Sequence, residues 1–157
     1  MIECPIPGVE IRTLMRHSDH RGWLMELFRK DELPAEQFPA MGYVSMLVSG
    51  AVRGPHEHRT QTDYFVLWGP SDVRLYLWDN RSASPTKGVS WVMDFEEYDA
   101  VAVLIPPGVV HAYENVGSKD TYVINLPNRL YAGPGRTEEI DEIRHEDDPN
   151  SPFRTRS

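Results

Sequence analysis

Short apolar runs separated by turn residues constrain the fold of this chain more than any other feature. Aromatic and β-branched residues dominate the runs, and glycine and proline punctuate the intervals at a spacing of about 8–12 residues. The runs cover residues 23–28, 43–48, 64–68, 73–78, 89–95, 100–105 and 121–126. Residues 31–37 could form one short helical turn, but a long 3.6-residue period is missing from the sequence. The pattern predicts an all-β sandwich or barrel.

Length and charge narrow the class of protein. The chain has 157 residues, 40% apolar and 25% charged, which suits one globular domain. Its 24 acidic and 16 basic residues give a net charge of −8, which disfavours nucleic acid and anionic membranes as partners. Cys4 is the single cysteine, so no internal disulfide can form. We see no signal peptide in residues 1–11 and no apolar run near the ~20 residues of a membrane helix, so we expect a cytoplasmic protein.

The candidate site rests on two histidine-bearing segments, residues 50–63 and 106–115. Side chains two residues apart in a strand share a face, so His56 and His58 can point the same way. The proline–glycine turn before His111 would place that residue at the start of a second strand. Three imidazoles would then meet in one cavity, as either a metal site or an acid–base site.

The donor types suit both chemistries. His56, His58 and His111 supply three nitrogens and Asp63 a carboxylate, a set that suits Fe, Mn, Zn, Ni or Cu. Gln61 is a second oxygen donor nearby. Imidazole, with an ordinary pKa near 6.5, is equally suited to proton transfer. The residue types alone therefore leave the choice open.

Arginines close to these segments are candidates for binding an anion. Arg53 precedes His56 by three residues, and a guanidinium donates two parallel hydrogen bonds to a phosphate or carboxylate. Arg21 and Arg74 are further candidates, although a surface salt bridge is an equal alternative for Arg74.

The two ends of the chain are expected to be polar surface. Residues 137–157 form an acidic C-terminal segment, in which most carboxylates are expected to be solvated. We also expect His145 at the surface, and His17 and His20 in a polar loop where His20 could line a site.

Several motifs resemble those of a known family. They are Asp19-His20-Arg21-Gly22 followed by Glu26, Val52-Arg53-Gly54-Pro55-His56, Asp79 to Gly88, Ile105 to Tyr113, Leu130-Tyr131-Ala132 and Asp147-Asp148-Pro149. The two histidine segments resemble the signature motifs of the cupin superfamily. The whole set, over residues 18–153, is similar to the dTDP-4-dehydrorhamnose 3,5-epimerase family of sugar-nucleotide cupins. This resemblance implies a cupin double-stranded β-helix, or jelly roll, with residues 1–157 forming a single cupin domain.

The resemblance also implies an isomerase that acts on a dTDP-4-keto-6-deoxyhexose in polysaccharide biosynthesis, as in dTDP-rhamnose formation, and needs no cofactor. A histidine base removes the proton beside the ketone, and an acid returns a proton on the opposite face. By motif position the base is His56, assisted by His58 or His111. The implied substrate-binding residues are Arg21, Glu26, Arg53, Gln61, Asn125 and Tyr131. In this family the first two of these often contact the nucleotide across a homodimer interface of exchanged N-terminal strands.

Four positions depart from the family pattern. The catalytic acid of the family is a tyrosine six residues before the position of Tyr131, where this chain has Asn125. The aspartate that pairs with the base belongs to a Ser-x-Lys-Asp segment that would fall beyond residue 157. His58 replaces a usual glutamine, and Asp63 replaces a usual phosphate-contacting lysine.

These departures leave three alternatives open. In 4-keto-sugar 3,4-ketoisomerases, a His-x-His pair similar to His56 and His58 transfers the proton. A metal-binding cupin would use the four ligands named above, and a non-catalytic cupin would bind a sugar nucleotide without turnover. The substitute for the missing acid also remains open among Tyr113, Tyr122 and Tyr131.

Overall fold

The computed structural model describes residues 1–155, and residues 156 and 157 of the predicted C-terminal segment lie outside the described residues. Twelve strands are described: β1 (Glu10–Thr13), β2 (Arg16–Asp19), β3 (Gly22–Met25), β4 (Tyr43–Leu47), β5 (Val52–Glu57), β6 (Asp63–Trp68), β7 (Val73–Asp79), β8 (Ser90–Phe95), β9 (Val101–Ile105), β10 (Val109–Asn115), β11 (Thr121–Asn125) and β12 (Ile143–Arg144). Two 3₁₀ turns, Ala35–Gln37 and Pro134–Arg136, are the helical structure of this part of the chain.

The strands form two five-stranded antiparallel sheets and one hairpin. The first sheet has the order β1-β9-β6-β11-β4, and the second has the order β12-β5-β10-β7-β8. Strands β2 and β3 form the separate hairpin. Apart from the sequential pair β7–β8, neighbouring strands in both sheets are distant in sequence, as expected for a jelly roll in which the chain alternates between two sheets. The predicted all-β cupin jelly roll is confirmed.

The main core lies between the two sheets. It contains alternate residues of strands from both, including Phe65 and Val103 of the first sheet and Leu75 and Leu77 of the second. Each of these four side chains is at most 1% exposed. Full burial of such a side chain contributes roughly 1.5–3 kcal/mol relative to exposure, so the core fixes how the sheets face each other.

A second apolar cluster covers the outer face of the first sheet. The linker between β1 and β4 packs Leu33 against Tyr64, Val66 and Leu104. The Tyr64 hydroxyl donates to the carbonyl of Leu27 over 2.7 Å, which ties the linker to the sheet. This hydrogen bond holds the chain after Met25 outside any strand. Only residues 23–25 of the predicted run 23–28 therefore form a strand.

The polar segment before this run also differs from the sequence prediction. His17 lies on β2 rather than in a loop, where it pairs with Leu24 of β3. All four residues of β2 are exposed, so backbone hydrogen bonds define this strand and its side chains carry no apolar signal. The helical turn expected over residues 31–37 is limited to the 3₁₀ turn that begins at Ala35.

Residues 1–155 contain no helix that is both long and apolar enough to span a membrane.

Candidate active site

Pairing between β5 and β10 brings two of the predicted histidines together. His111 is the register partner of His56, and the centroids of the two rings lie 4.5 Å apart. Gly54 makes this approach possible, because a Cβ atom at that position would lie 2.5 Å from the carbonyl oxygen of His111. Its φ of +85° also favours glycine. The register shifts between His111 and Tyr113, as in a β-bulge.

The facing sheet supplies a carboxylate to the histidines. Asp63 begins β6 and is 1% exposed. Its Oδ2 atom lies 3.0 Å from Nε2 of His58 and 3.3 Å from Nε2 of His111. One donor atom from each of His56, His58, Asp63 and His111 lies within 4.8 Å of the others. The structure thus brings together all four residues of the predicted cluster.

Amide donors hold the other oxygen of Asp63. Gln61 Nε2 donates to Oδ1 over 2.8 Å, and Asn125 Nδ2 donates to the same oxygen over 2.9 Å. Asn125 Nδ2 also donates to the hydroxyl of Tyr43 over 3.0 Å. The three substituted positions, His58, Asp63 and Asn125, therefore belong to one polar network.

Backbone carbonyls orient two of the imidazoles. Nδ1 of His111 lies 3.1 Å from the carbonyl oxygen of Val109, and Nδ1 of His58 contacts the carbonyl oxygen of Asp141. A carbonyl can only accept, so each Nδ1 carries the hydrogen and donates it. Each Nε2 then faces Asp63.

Burial and neighbouring charges push the pKa values of this cluster apart. Burial, reinforced by His111, lowers the pKa of His56 to about 2. Burial alone would also lower the pKa of His58, but contact with the Asp63 carboxylate raises it to about 9. Burial opposes ionisation of Asp63 itself, yet His111 and His58 outweigh it and hold that pKa well below its usual range. His56 is thus neutral beside a buried carboxylate that carries charge.

The C-terminal segment supplies a carboxylate that sequence reasoning missed. Oε1 of Glu146 lies 4.0 Å from Nδ1 of His56, and its side chain is 27% exposed. Burial raises the pKa of Glu146. The contact arises because β12 pairs with β5 and places Arg144 opposite His56. The separation of residues 56 and 146 in the sequence does not predict this contact.

Two further residues of the segment are bound to the body of the protein. Asp141 accepts hydrogen bonds from the backbone N–H groups of Arg59, Thr60 and Gln61 over 2.8–2.9 Å. Nε2 of His145 lies 2.8 Å from Oε1 of Glu57, and the His145 side chain is 16% exposed. The prediction of a surface position for His145 was wrong, because β12 carries it against the second sheet.

A cleft of about 1440 Å³ opens above this cluster. Five predicted residues line it: His56, His58, Arg53, Gln61 and Tyr131. Tyr43, Tyr113, Arg59 and Arg136 line it as well. His111 and Asn125 are buried next to it through their contacts with Asp63. The cleft therefore combines imidazoles, phenols and guanidinium groups.

Other predicted residues lie elsewhere on this chain. Arg21 follows β2 and binds Asp19 over 2.5 Å, while Glu26 follows β3 and lies 3.5 Å from Arg29. Arg74 forms a bidentate pair with Asp94 of β8. Arg74 thus adopts the surface salt bridge that was the alternative for it.

The fold and the histidine-lined cleft define a cupin. Residues 3–148 match the sequence family described as dTDP-4-dehydrorhamnose 3,5-epimerase. The chain therefore belongs to this family of sugar-nucleotide epimerases.

Two curated relatives support the same assignment. One is the probable low-salt glycan biosynthesis epimerase Agl13 of Haloferax volcanii, 35% identical over 80% of this chain and 81% of the relative. The other is the spore coat polysaccharide biosynthesis protein SpsL of Bacillus subtilis, 36% identical over 80% of this chain and 82% of the relative.

Solved structures share the fold. A dTDP sugar isomerase from Desulfovibrio desulfuricans superposes with a TM-score of 0.81 at 22% identity, over 98% of this chain and 94% of that chain. A double mutant of ChmJ, a 3'-monoepimerase from Streptomyces bikiniensis solved in complex with dTDP, has a TM-score of 0.78 at 24% identity. That match covers 99% of this chain and 78% of the other.

Proposed function

We propose that the protein epimerises or isomerises a dTDP-linked 4-keto-6-deoxyhexose through an enolate, with His56 as the base. The observation that carries this proposal is the position of His56, which lines the cleft between the Asp63 cluster and Glu146. Membership of the epimerase family supports the reaction class.

The proposed reaction moves protons at a carbon next to the ketone. The C–H bond breaks as its proton passes to the ring nitrogen of His56, and the electron pair moves to the ketone oxygen to form an enolate. Protonated His58 supplies positive charge near the developing oxyanion, which lowers the energy of the transition state. An acid on the opposite face then protonates the same carbon and inverts it.

Tyr43 is the acid in this scheme, in place of the candidates that the sequence left open. It lines the cleft, and its hydroxyl accepts a hydrogen bond from Asn125. The resemblance implies that Asn125 stands in place of the family's tyrosine. Tyr43 of β4 and Asn125 of β11 are register partners. The phenol of Tyr43 therefore lies on the same sheet as Asn125 and next to it. Desolvation raises the pKa of Tyr43 to about 12, which keeps the hydroxyl protonated.

Arginines of the cleft are the proposed contacts for the nucleotide diphosphate. The side chains of Arg53, Arg59 and Arg136 face a cleft in a chain whose net charge is negative. Within residues 1–155, these three guanidinium groups have neither a hydrogen bond nor an ion pair. They are free to bind phosphate oxygens, for which guanidinium geometry is suited.

The proposed assembly is a homodimer in which Arg21 and Glu26 reach the cleft of the second copy. Both lie on or next to the exposed β2–β3 hairpin, away from the cleft of their own chain. An exposed hairpin of this kind can carry nucleotide contacts between copies without any change in the fold.

Product analysis tests the proposal. We expect the protein to convert dTDP-4-keto-6-deoxyglucose to an epimer or ketoisomer that NMR resolves, and we expect His56→Asn to lose at least ~10²-fold in kcat. Lys87→Gln, in the exposed loop after β7 and outside both the cleft and the hairpin, is the control and should retain full activity. Stabilisation by dTDP without any turnover would instead support the binding-only alternative.

A further inference from the structure

We propose that His56, His58, Asp63 and His111 also form a binding site for one divalent transition-metal ion. Their donor atoms lie within 4.8 Å of one another, a spacing that one ion can bridge. The donors come from β5, the loop after it, β6 and β10, so both sheets fix the geometry before any ligand arrives. This inference does not rest on the proposed reaction.

The buried polar atoms at the centre are incompletely satisfied. Among residues 1–155, Oδ2 of Asp63 and Nε2 of His111 have no hydrogen-bond partner, although both are buried. They face each other at 3.3 Å, and Nε2 of His58 lies 3.0 Å from the same carboxylate oxygen. The two imidazole nitrogens and the buried carboxylate oxygen need a cation between them, which is either a proton, as in protonated His58, or a metal ion that displaces it.

The surrounding hydrogen bonds are those that metal ligands usually have. Nδ1 of His111 donates to the carbonyl of Val109, and Nδ1 of His58 donates to the carbonyl of Asp141. Histidine ligands commonly donate their outer N–H to a carbonyl, which fixes the tautomer that leaves the other nitrogen free to coordinate. Gln61 and Asn125 fix the orientation of the Asp63 carboxylate by donating hydrogen bonds to its second oxygen.

Donor type and spacing select the class of metal. Ligands about 2.0–2.2 Å from a tetrahedral or octahedral ion are roughly 3–3.5 Å apart, which is the separation of Asp63 Oδ2 from the two Nε2 atoms. Three imidazoles and one carboxylate suit Zn, Fe, Co or Ni, whereas Mg and Ca prefer oxygen ligands. The His56 and His58 side chains are 14% and 11% exposed, so an ion can enter from the cleft.

Metal binding and proton transfer compete in this arrangement. A ring nitrogen of His56 that coordinates an ion cannot accept a proton from a sugar carbon. If the protein is an enzyme of the proposed kind, an added transition metal should therefore inhibit it, and a chelator should restore activity.

Titration of the chelator-treated full chain with Co²⁺ and Zn²⁺ tests the site. We expect one ion per chain, with Co²⁺ d–d absorption bands that Zn²⁺ removes. Asp63→Asn and His58→Gln should each weaken Zn²⁺ binding by at least ~10-fold, measured by calorimetry. His17→Gln is the control, because His17 is an exposed histidine on β2.

The results of these titrations either support or overturn the proposed metal site. Less than ~0.2 ion per chain for the wild type, or equal affinity in His58→Gln and His17→Gln, would overturn the proposal. Circular dichroism identifies a variant that does not fold, and if Asp63→Asn is one, His58→Gln decides alone. Failure of metal binding would leave epimerisation unaffected, and failure of epimerisation would leave the Co²⁺ spectrum unaffected, so the two proposals fail separately.

Discussion

At the scale of single residues, three substitutions in the family pattern form one connected network. His58 and Asp63 are in contact, and Asn125 donates both to Asp63 and to Tyr43. A lysine at position 63 would bring a positive charge next to the imidazoles, whereas Asp63 brings a negative one. Relative to the lysine that the resemblance implies at this position, Asp63 therefore reverses the sign of the charge next to the imidazoles.

The contact between Glu146 and His56 leads to a prediction about positioning. We expect Glu146→Gln to lower kcat by about 10- to 100-fold with little change in KM, because the carboxylate orients the base rather than binding substrate. Steady-state kinetics measures the two constants. Asp147→Asn, which changes the neighbouring exposed carboxylate, should leave both unchanged. A matched fall of kcat in both variants would contradict the role of Glu146.

Tyr43 leads to a prediction that separates the acid from the base. We expect Tyr43→Phe to lose at least ~10²-fold in epimer formation, while proton abstraction by His56 continues and still exchanges the substrate proton with solvent. NMR measures product and exchange in one sample. Tyr122→Phe is the control, because Tyr122 lies on the outer face of the same sheet and does not line the cleft. Normal product formation by Tyr43→Phe would assign the acid to another residue.

At the scale of elements, the loop after β7 is organised by one buried carboxylate. Asp79 is 1% exposed and accepts hydrogen bonds from Arg81, Ser84 and Thr86. These bonds, led by that from Arg81, hold its pKa well below the usual range. The family-like stretch from Asp79 to Gly88 is therefore explained by its structure, without a role in chemistry.

The lowered pKa of Asp79 gives a prediction about stability and pH. A carboxyl whose pKa is lower in the folded state stabilises the fold above its unfolded pKa of about 3.9, and this contribution is lost as the pH falls further. We expect Asp79→Asn to reduce the free energy of unfolding by about 2 kcal/mol at pH 7 and by much less at pH 2–3. Urea denaturation at several pH values measures it. An equal loss at both ends of the range would contradict this assignment.

The sequence was sufficient to predict the strands that have an apolar pattern, and it failed where pairing rests on the backbone alone. Strands β6, β7, β9 and β11 coincide with predicted runs to within one residue, because their side chains fill the core. The hairpin strand β2 and the short β12 have no such pattern. His56 and His111 lie on strands, as the sequence predicted, but His58 follows the end of β5 at Glu57 and reaches the cluster from a loop. Glu146 and Tyr43 reach the site through contacts between distant segments.

At the scale of the whole molecule, an uncovered apolar surface remains on the first sheet. Strand β4 is an edge of that sheet, and its residues Val44 and Met46 are 64% and 46% exposed. Tyr122, the register partner of Met46, extends this surface onto β11. The linker that covers the rest of the outer face stops short of these side chains. A second copy of the chain is the expected cover.

This surface gives a prediction about assembly. We expect the protein to have twice the 18.0 kDa mass of the chain in light scattering after size exclusion, and we expect Val44→Asp to shift it toward the monomer. Burial of an unpaired carboxylate against an apolar surface is costly, which is the reason for the shift. Val92→Asp, on the exposed edge strand β8 of the other sheet, is the control. A monomeric wild type would contradict the expected dimer.

The central claim is that His56 removes a proton from the carbon next to a ketone in a sugar nucleotide. The most direct measurement is the uptake of deuterium at C3 or C5 of dTDP-4-keto-6-deoxyglucose in heavy water, followed by NMR or mass spectrometry. We predict enzyme-dependent uptake that His56→Asn reduces to the uncatalysed level. A wild-type protein that binds the nucleotide yet exchanges neither position, or a His56→Asn variant that exchanges as fast as the wild type, would contradict it.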